Sequence, residues 1–169
     1  MIKKISQRQM EDCVTCVLAM VTGYSYEQVE ADRSRYSETT SDGKFYEWWF
    51  EYLPREGFQI DRRPFMRAYD LGREKQTVGI LGMTIERLKR RHVVALDAFG
   101  VVDPATGFPD HFDLAAYIHR RLPEGFVFDG DFLAIQPRRW RRMWRRLQRL
   151  IAITADRALS LFRPWPTPT

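Results

Sequence analysis

A cysteine at the edge of an apolar run is the first residue of this chain that could do chemistry. In "QRQMEDCVTCVLAM", residues 7–20, Cys13 follows two acidic residues and precedes a run typical of a buried helix. A cysteine kept only for packing normally lies within such a run. If Asp12 caps a helix over residues 13–22, Cys13 lies in its first turn, where unpaired amide N–H groups and the helix dipole favour a thiolate. The position therefore indicates a nucleophilic thiol.

A thiol nucleophile needs a neighbouring base that can take and return its proton, and histidine commonly has this role. The chain contains three histidines, His92, His111 and His119. His92 is the strongest candidate because it begins a predicted strand, and a rigid strand end positions a side chain better than a loop does. The residues around His111 predict a helix cap at the surface, and His119 is interpreted as a solvated helix residue.

A hairpin can bring a carboxylate to His92. The stretch "HVVALDAFGVVDPATG", residues 92–107, predicts two strands joined by a tight turn. If residues 98–99 form the turn, Asp103 lies opposite Val94 and diagonal to His92 on the same face of the sheet. Side chains that lean together can meet across that diagonal, so Asp103 is predicted to orient the imidazole.

These motifs resemble the papain-like cysteine peptidases, most closely the small bacterial type that forms the leader-peptide-processing domain of bacteriocin exporters. The resemblance covers roughly residues 5–135 and rests on "Q…DCVTCVLAM" followed by "HVVAL…VVDPATG". It implies that Cys13 is the nucleophile, His92 the base and Asp103 the orienting acid. By the same resemblance Gln7, six residues before the cysteine, donates to the oxyanion. The implied activity is cysteine hydrolase cleavage of amide bonds in a peptide or in cell-wall peptide.

Other interpretations of the same residues stay open. "CVTC" is a Cys-x-x-Cys match, which also occurs in redox dithiols and as half of a zinc site. Against these, no apolar strand leads into the motif, and no second cysteine pair would complete a metal shell. A further alternative is a catalytically silent papain-like scaffold that serves as a structural or binding subunit of a bacterial or phage assembly.

The order of the predicted elements indicates an α+β fold. Helical patterns come first, including the capping box "SYEQ" and the aromatic "SDGKFYEWWFEYLPREGF". Strand patterns follow in "FQIDRRPF", "TVGILGM" and the hairpin, then a helix over about 112–121 and an aromatic strand pair in "GFVFDGDFLAIQP". This layout predicts a papain-like domain over residues 1–137, with a central N-terminal helix packed on a small antiparallel sheet.

The basic charge of the chain is concentrated near its end. From Arg138 onward there are nine arginines and one acid, so this part carries +8 and the remainder −3 of the net +5. Apolar residues recur there at three- and four-residue steps, which predicts an arginine-rich amphipathic helix over 138–163, followed by an extended tail over 164–169. We expect this helix to dock on a protein partner or assembly. An anionic membrane surface or nucleic acid is a less favoured partner, and a solvated terminal helix is the simplest alternative.

Composition excludes several other classes of protein. Two cysteines are too few for a disulfide framework, and no secretory signal is readable at the start of the chain. No stretch supplies the roughly 18 apolar residues that a membrane span requires. We therefore expect a cytoplasmic protein or a subunit of a larger assembly. The motifs imply no cofactor and no metal, and they do not define the substrate beyond a peptide or protein.

Overall fold

The structure is a computed structural model that describes residues 1–9, 12–36, 48–73, 77–85 and 90–138. Contacts divide the chain into two units, Met1–Gln136 and Pro137–Thr169. Beyond Arg138, the predicted amphipathic helix and tail lie outside the described residues, as does the start of the predicted aromatic helix before Trp48. Within the described part of the chain, no helix is long and apolar enough to cross a membrane.

The first helix, α1 (Cys13–Thr22), forms the centre of the first unit, as the sequence predicts. Nine of its ten residues are buried, because apolar side chains occupy nearly every side of it. It ends at Gly23, which has the left-handed conformation and whose amide donates to the carbonyl of Ala19 at 2.9 Å. A helix enclosed in this way holds its first residue in a fixed place.

Two short helices cover α1. The second, α2 (Tyr26–Arg33), begins with the predicted cap, since the Ser25 hydroxyl accepts from the amide of Gln28 at 3.1 Å. The third, α3 (Trp49–Arg55), supplies the aromatic cover that its sequence predicts. Its buried residues, together with the one before it, are Trp48, Trp49, Tyr52 and Leu53.

The remaining elements build a five-stranded sheet. The strands are β1 (Phe58–Pro64), β2 (Val78–Ile85), β3 (Arg90–Asp97), β4 (Gly100–Val102) and β5 (Phe126–Pro137). They lie in the order β1-β5-β2-β3-β4, and β2 pairs antiparallel with β3 and β5, as does β3 with β4. A 3₁₀ helix (Phe65–Arg73) follows β1, and α4 (Leu114–Arg121) with a short 3₁₀ turn (Leu122–Glu124) precedes β5.

The hairpin of β3 and β4 has the register expected from a two-residue turn. Ala95 lies opposite Val102 and Asp97 opposite Gly100, so residues 98–99 form the turn. The carboxylate of Asp97 closes it by accepting from the amide of Phe99 at 2.8 Å. Continuing this register past Val102 brings Asp103 opposite Val94.

The prediction of an aromatic strand pair near the end of the described chain is wrong. Residues 126–137 form one strand, β5, which pairs with β2 along its length. Its register on β2 shifts between Leu81 and Met83, whose partners are Phe132 and Phe128. This irregularity contains Gly130, a residue that normally indicates a turn between strands. Here the glycine lies in a bulge, and the chain continues in the same direction.

The sheet has a core on each face. Successive residues of β3 point into different cores. Val93 and Ala95 belong to the cluster around α1, whereas Val94 and Leu96 belong to the cluster around α4. By this alternation His92, the third residue of β3, lies on the α4 face. Cys13 belongs to the cluster on the other face. A contact between the two residues must therefore form at the end of the sheet.

Candidate active site

Cys13 is the first residue of α1 and is 7% exposed. The residue before it, Asp12, occupies the N-cap position, but its side chain makes no capping hydrogen bond to the helix. Instead, one carboxylate oxygen accepts from the amides of Arg8 and Gln9, at 3.0 and 3.2 Å. The expectation that Asp12 caps α1 is therefore wrong. Its carboxylate binds the backbone of residues 8 and 9, and the first amides of α1 have no carbonyl partner within the helix.

The imidazole of His92 lies between the thiol and a carboxylate. Its Nε2 is 2.9 Å from Oδ1 of Asp103, and the side chain of Cys13 is near enough to interact with the ring electrostatically. The ring of Phe126, at the start of β5, stands edge-on to it with a centroid distance of 6.2 Å. Three predicted site residues thus lie close together, namely Cys13 at the start of α1, His92 on β3 and Asp103 directly after β4.

Asp103 is 1% exposed, and both of its carboxylate oxygens have donors. Oδ1 accepts from His92 and from the amide of Ala105, at 2.9 and 2.8 Å. Oδ2 accepts from the hydroxyl of Tyr117 and from the guanidinium of Arg121, both at 2.6 Å. A buried carboxylate with this many donors is held in one orientation and is stabilised as an anion.

The pKa values of this group reflect those contacts. Burial alone would lower the pKa of His92, but hydrogen bonds with Asp103 and Cys13 and the charges of both outweigh it and raise the pKa to about 9. Burial opposes ionisation of Asp103, yet the hydrogen bond and charge of His92, the Tyr117 hydroxyl and the Ala105 amide hold its pKa well below the usual range. The favoured state is therefore an imidazolium beside a carboxylate.

The segment that carries Gln7 is joined to the loop that carries Asp103. The amide of Gln7 donates to the carbonyl of Pro104 at 2.8 Å, directly after Asp103. The ammonium of Lys4 donates to the carbonyl of Phe108 at 2.5 Å and reaches that of Ala105 at 3.4 Å. These bonds place the backbone of Gln7 beside the candidate site.

The Gln7 side chain is half-buried, and its carboxamide donates to the carbonyl of Gln9 at 3.4 Å. That bond is long, so it holds the carboxamide weakly.

The second cysteine of the "CVTC" pattern does not share the site. Cys13 and Cys16 are both free thiols, and Cys16 is fully buried. Burial, followed by the charge of Asp12, raises the pKa of Cys16 to about 12, and a thiol that rarely ionises is a poor partner in disulfide exchange. Among the described residues, no group of three or more His, Cys, Asp or Glu side chains could hold a metal ion.

The other two histidines lie elsewhere. His111 is half-buried, and its Nε2 is 3.3 Å from Oδ2 of Asp97, which also accepts from the amide of Ile2 at 2.7 Å. The predicted surface helix cap in the residues around His111 is confirmed, because the exposed Asp113 caps α4 by accepting from the amide of Ala116 at 2.9 Å. His119 is exposed on α4, as expected.

Sequence reasoning missed Tyr117 and Arg121. These residues are four positions apart, so they share one face of α4, and Nε of Arg121 donates to the hydroxyl of Tyr117 at 3.1 Å. The available signal was the spacing, which puts an arginine on the same helix face as a tyrosine. The spacing alone could not identify Asp103 as their partner, because the contact depends on how α4 packs against the hairpin.

Comparison with known proteins adds evidence on the fold. No protein-family profile and no curated protein sequence matches the chain. Among solved structures, the peptidase domain of Streptococcus ComA, a bi-functional ABC transporter involved in a quorum-sensing pathway, has a similar structure with a TM-score of 0.52. The similarity covers 82% of this chain and 100% of that domain, at 19% sequence identity. The chain therefore has the α+β papain-like fold that its motifs predict.

Proposed function

We propose that the protein is a papain-like cysteine hydrolase that cleaves amide bonds of a peptide or of cell-wall peptide, with Cys13 as nucleophile. The observation that carries the proposal is the placement of Cys13, His92 and Asp103 together at the end of the sheet, where His92 bonds Asp103 at 2.9 Å and interacts electrostatically with Cys13. Nucleophile, base and orienting group within hydrogen-bonding reach are the arrangement that acyl transfer needs.

The first half of the reaction follows from these contacts. His92 holds the proton that the thiol gives up, and the sulfur of Cys13 attacks the carbonyl carbon of the substrate as a thiolate. The tetrahedral intermediate then breaks its C–N bond while the imidazolium returns a proton to the leaving amine. In the second half, neutral His92 removes a proton from water, which attacks the thioester and releases the acid. Asp103 keeps the ring oriented through both halves and does not exchange the proton itself.

Negative charge on the attacked oxygen needs donors, and two groups fit that role. The amides of the first turn of α1, which have no carbonyl partner within the helix, are one source. The other is the carboxamide of Gln7, whose backbone amide donates to Pro104 and whose side chain donates a long bond to Gln9. In comparable sites one such donor contributes about 3–4 kcal/mol to the transition state.

A catalytically silent scaffold is the second candidate function. Two observations favour it, the 7% exposure of Cys13 and the engagement of Gln7 with Gln9. In this role the arginine-rich segment 138–163 docks the domain on an acidic protein partner or assembly. Replacing its arginines by glutamine would then abolish association, and unchanged association would leave the segment without a docking role.

An activated ester separates the two functions without knowledge of the substrate. With p-nitrophenyl acetate, a hydrolase releases p-nitrophenolate over several turnovers and carries a transient acetyl group on Cys13, which mass spectrometry locates. The Cys13→Ser variant should lose both signals, and Cys16→Ala should keep them because Cys16 is buried. Release no faster than from a cysteine-containing peptide, with no adduct on Cys13, would support the scaffold and reject the hydrolase.

A further inference from the structure

Asp103 is shared between His92 and a second pair of side chains on α4. Oδ1 faces His92, whereas Oδ2 accepts from Tyr117 and Arg121 at 2.6 Å each. The orienting acid of the candidate triad therefore also belongs to a buried ion pair. An orienting carboxylate needs only one oxygen for a histidine, so the occupation of the second oxygen calls for an explanation.

Each of the three nitrogens of the Arg121 guanidinium donates a hydrogen bond. Nη2 donates to Asp103, Nε to the Tyr117 hydroxyl at 3.1 Å, and Nη1 to Glu124 at 2.6 Å. Its central carbon lies 4.2 Å from the ring centroid of Phe108 and 4.6 Å from that of Phe126. Because the arginine is 7% exposed and enclosed by these rings, water screens its charge poorly.

We infer that Tyr117 and Arg121 are positioning residues for the reaction at Cys13. They hold Asp103 in the rotamer that points Oδ1 at His92. The charge of Arg121 also reduces the electrostatic stabilisation that Asp103 gives to the imidazolium. A role in the reaction rests on the proposed function, whereas the effect of the two residues on Asp103 and His92 follows from the contacts of Asp103.

The direction of the effect follows from Coulomb's law. A carboxylate that faced His92 alone would stabilise the imidazolium fully, whereas one shared with a guanidinium stabilises it less. The arginine also repels the imidazolium directly. A general acid works best when its pKa lies close to the operating pH, and the pKa of His92 is already raised to about 9 with Arg121 in place. Without the arginine, His92 would release its proton to the leaving amine less readily.

Among the described residues, the charged and titratable groups named around His92 come from three elements. Asp103 faces it from the hairpin, Cys13 from α1, and Arg121 with Tyr117 stands behind Asp103 on α4. Phe126 of β5 contributes an apolar ring edge. Of these groups, Tyr117 and Arg121 can be changed without altering a residue that contacts the imidazole.

The test is the proton titration of His92 in the full chain, followed by NMR through the imidazole Cε1–H signal. His92→Gln identifies the signal by its loss. We expect Arg121→Met to raise the titration midpoint by about 1 pH unit and Tyr117→Phe to raise it by about half as much. The matched control is Arg120→Met, because Arg120 is the neighbouring arginine on α4, is exposed, and lies over Phe108. Its midpoint should stay at the wild-type value.

An unchanged midpoint in Arg121→Met and Tyr117→Phe would overturn the inference and leave the two residues as supports of α4 alone. So would a lower midpoint in Arg121→Met. If Arg121→Met fails to fold by circular dichroism, Tyr117→Phe decides, since it removes one oxygen and keeps the ring. The titration needs no substrate, so its failure is distinct from absence of acylation at Cys13, which would reject the hydrolase itself.

Discussion

His92 and Asp103 are joined by a 2.9 Å hydrogen bond between Nε2 and Oδ1, although eleven positions of sequence separate them. A two-residue turn produces this contact, because it sets the register that brings Asp103 diagonal to His92 on one face of the sheet. The contact is buried at Asp103, so the two groups influence each other's ionisation strongly. Stability and reactivity should therefore both depend on it.

The first prediction concerns stability and pH. The folded-state pKa of His92 is raised from 6.5 to about 9. Its protonation therefore contributes fully to the free energy of unfolding below about pH 6.5, and this contribution is lost as the pH rises through about 9. We expect the unfolding free energy to fall by about 1–3 kcal/mol across that interval. Urea denaturation at both ends should show a smaller fall in His92→Gln and an unchanged fall in His119→Gln. An equal fall in all three proteins would remove His92 as its source.

The second prediction concerns the backbone at the start of β4. Gly100 has φ +128, and a Cβ there would collide with the carbonyl oxygen of Phe112. Gly100→Ala should therefore cost about 2–4 kcal/mol of stability, from backbone strain and the collision together. Gly107→Ala is the control, since its φ is +86 but nothing lies within 4 Å of its Cβ. Equal losses measured by denaturation would show that the collision adds nothing.

The third prediction concerns the anchor of the N-terminal segment. Asp97 accepts from the amides of Ile2 and Phe99, at 2.7 and 2.8 Å, and contacts His111. Asp97→Ala leaves those donors unpaired, so we expect a loss of about 2–3 kcal/mol in the free energy of unfolding. The exposed Asp131→Ala should change it by less than about 0.5 kcal/mol. A loss in Asp97→Ala no greater than in this control would mean that water can replace the Asp97 carboxylate as the hydrogen-bond acceptor.

The fourth prediction separates binding of the oxyanion from activation of the thiol. Gln7 should act only when an acyl group is attacked, so Gln7→Ala should lower turnover of p-nitrophenyl acetate by about 10²-fold to 10³-fold. Alkylation of Cys13 forms no oxyanion and should keep its rate. Gln9→Ala is the control, because its contribution to Gln7 is a backbone carbonyl. Equal slowing of both reactions in Gln7→Ala would indicate a structural role.

Local patterns were enough to predict the parts of the site that are set by short-range geometry. The cysteine at the start of α1 follows from the boundary of an apolar run, and the approach of Asp103 to His92 follows from the period of a strand and the length of a turn. The fold class followed from the order of helices and strands.

Competition between local hydrogen bonds, together with long-range packing, decided what the sequence could not predict. The carboxylate of Asp12 accepts from the amides of Arg8 and Gln9 and does not cap α1. Both arrangements are common local hydrogen-bonding patterns of an aspartate, so the sequence did not decide between them. The bulge in β5 contains a glycine that elsewhere would end a strand. The contact of Arg121 with Asp103 depends on the docking of α4, which no local pattern encodes.

The most direct test of the account is the rate at which iodoacetamide alkylates Cys13 in the native protein near pH 6.5, with the modified peptide located by mass spectrometry. If His92 shares the thiol proton, Cys13 should react at least about tenfold faster than a free cysteine peptide, and His92→Ala should remove the difference. A rate equal to that of the free peptide, with no change in His92→Ala, would contradict a catalytic pair at this site.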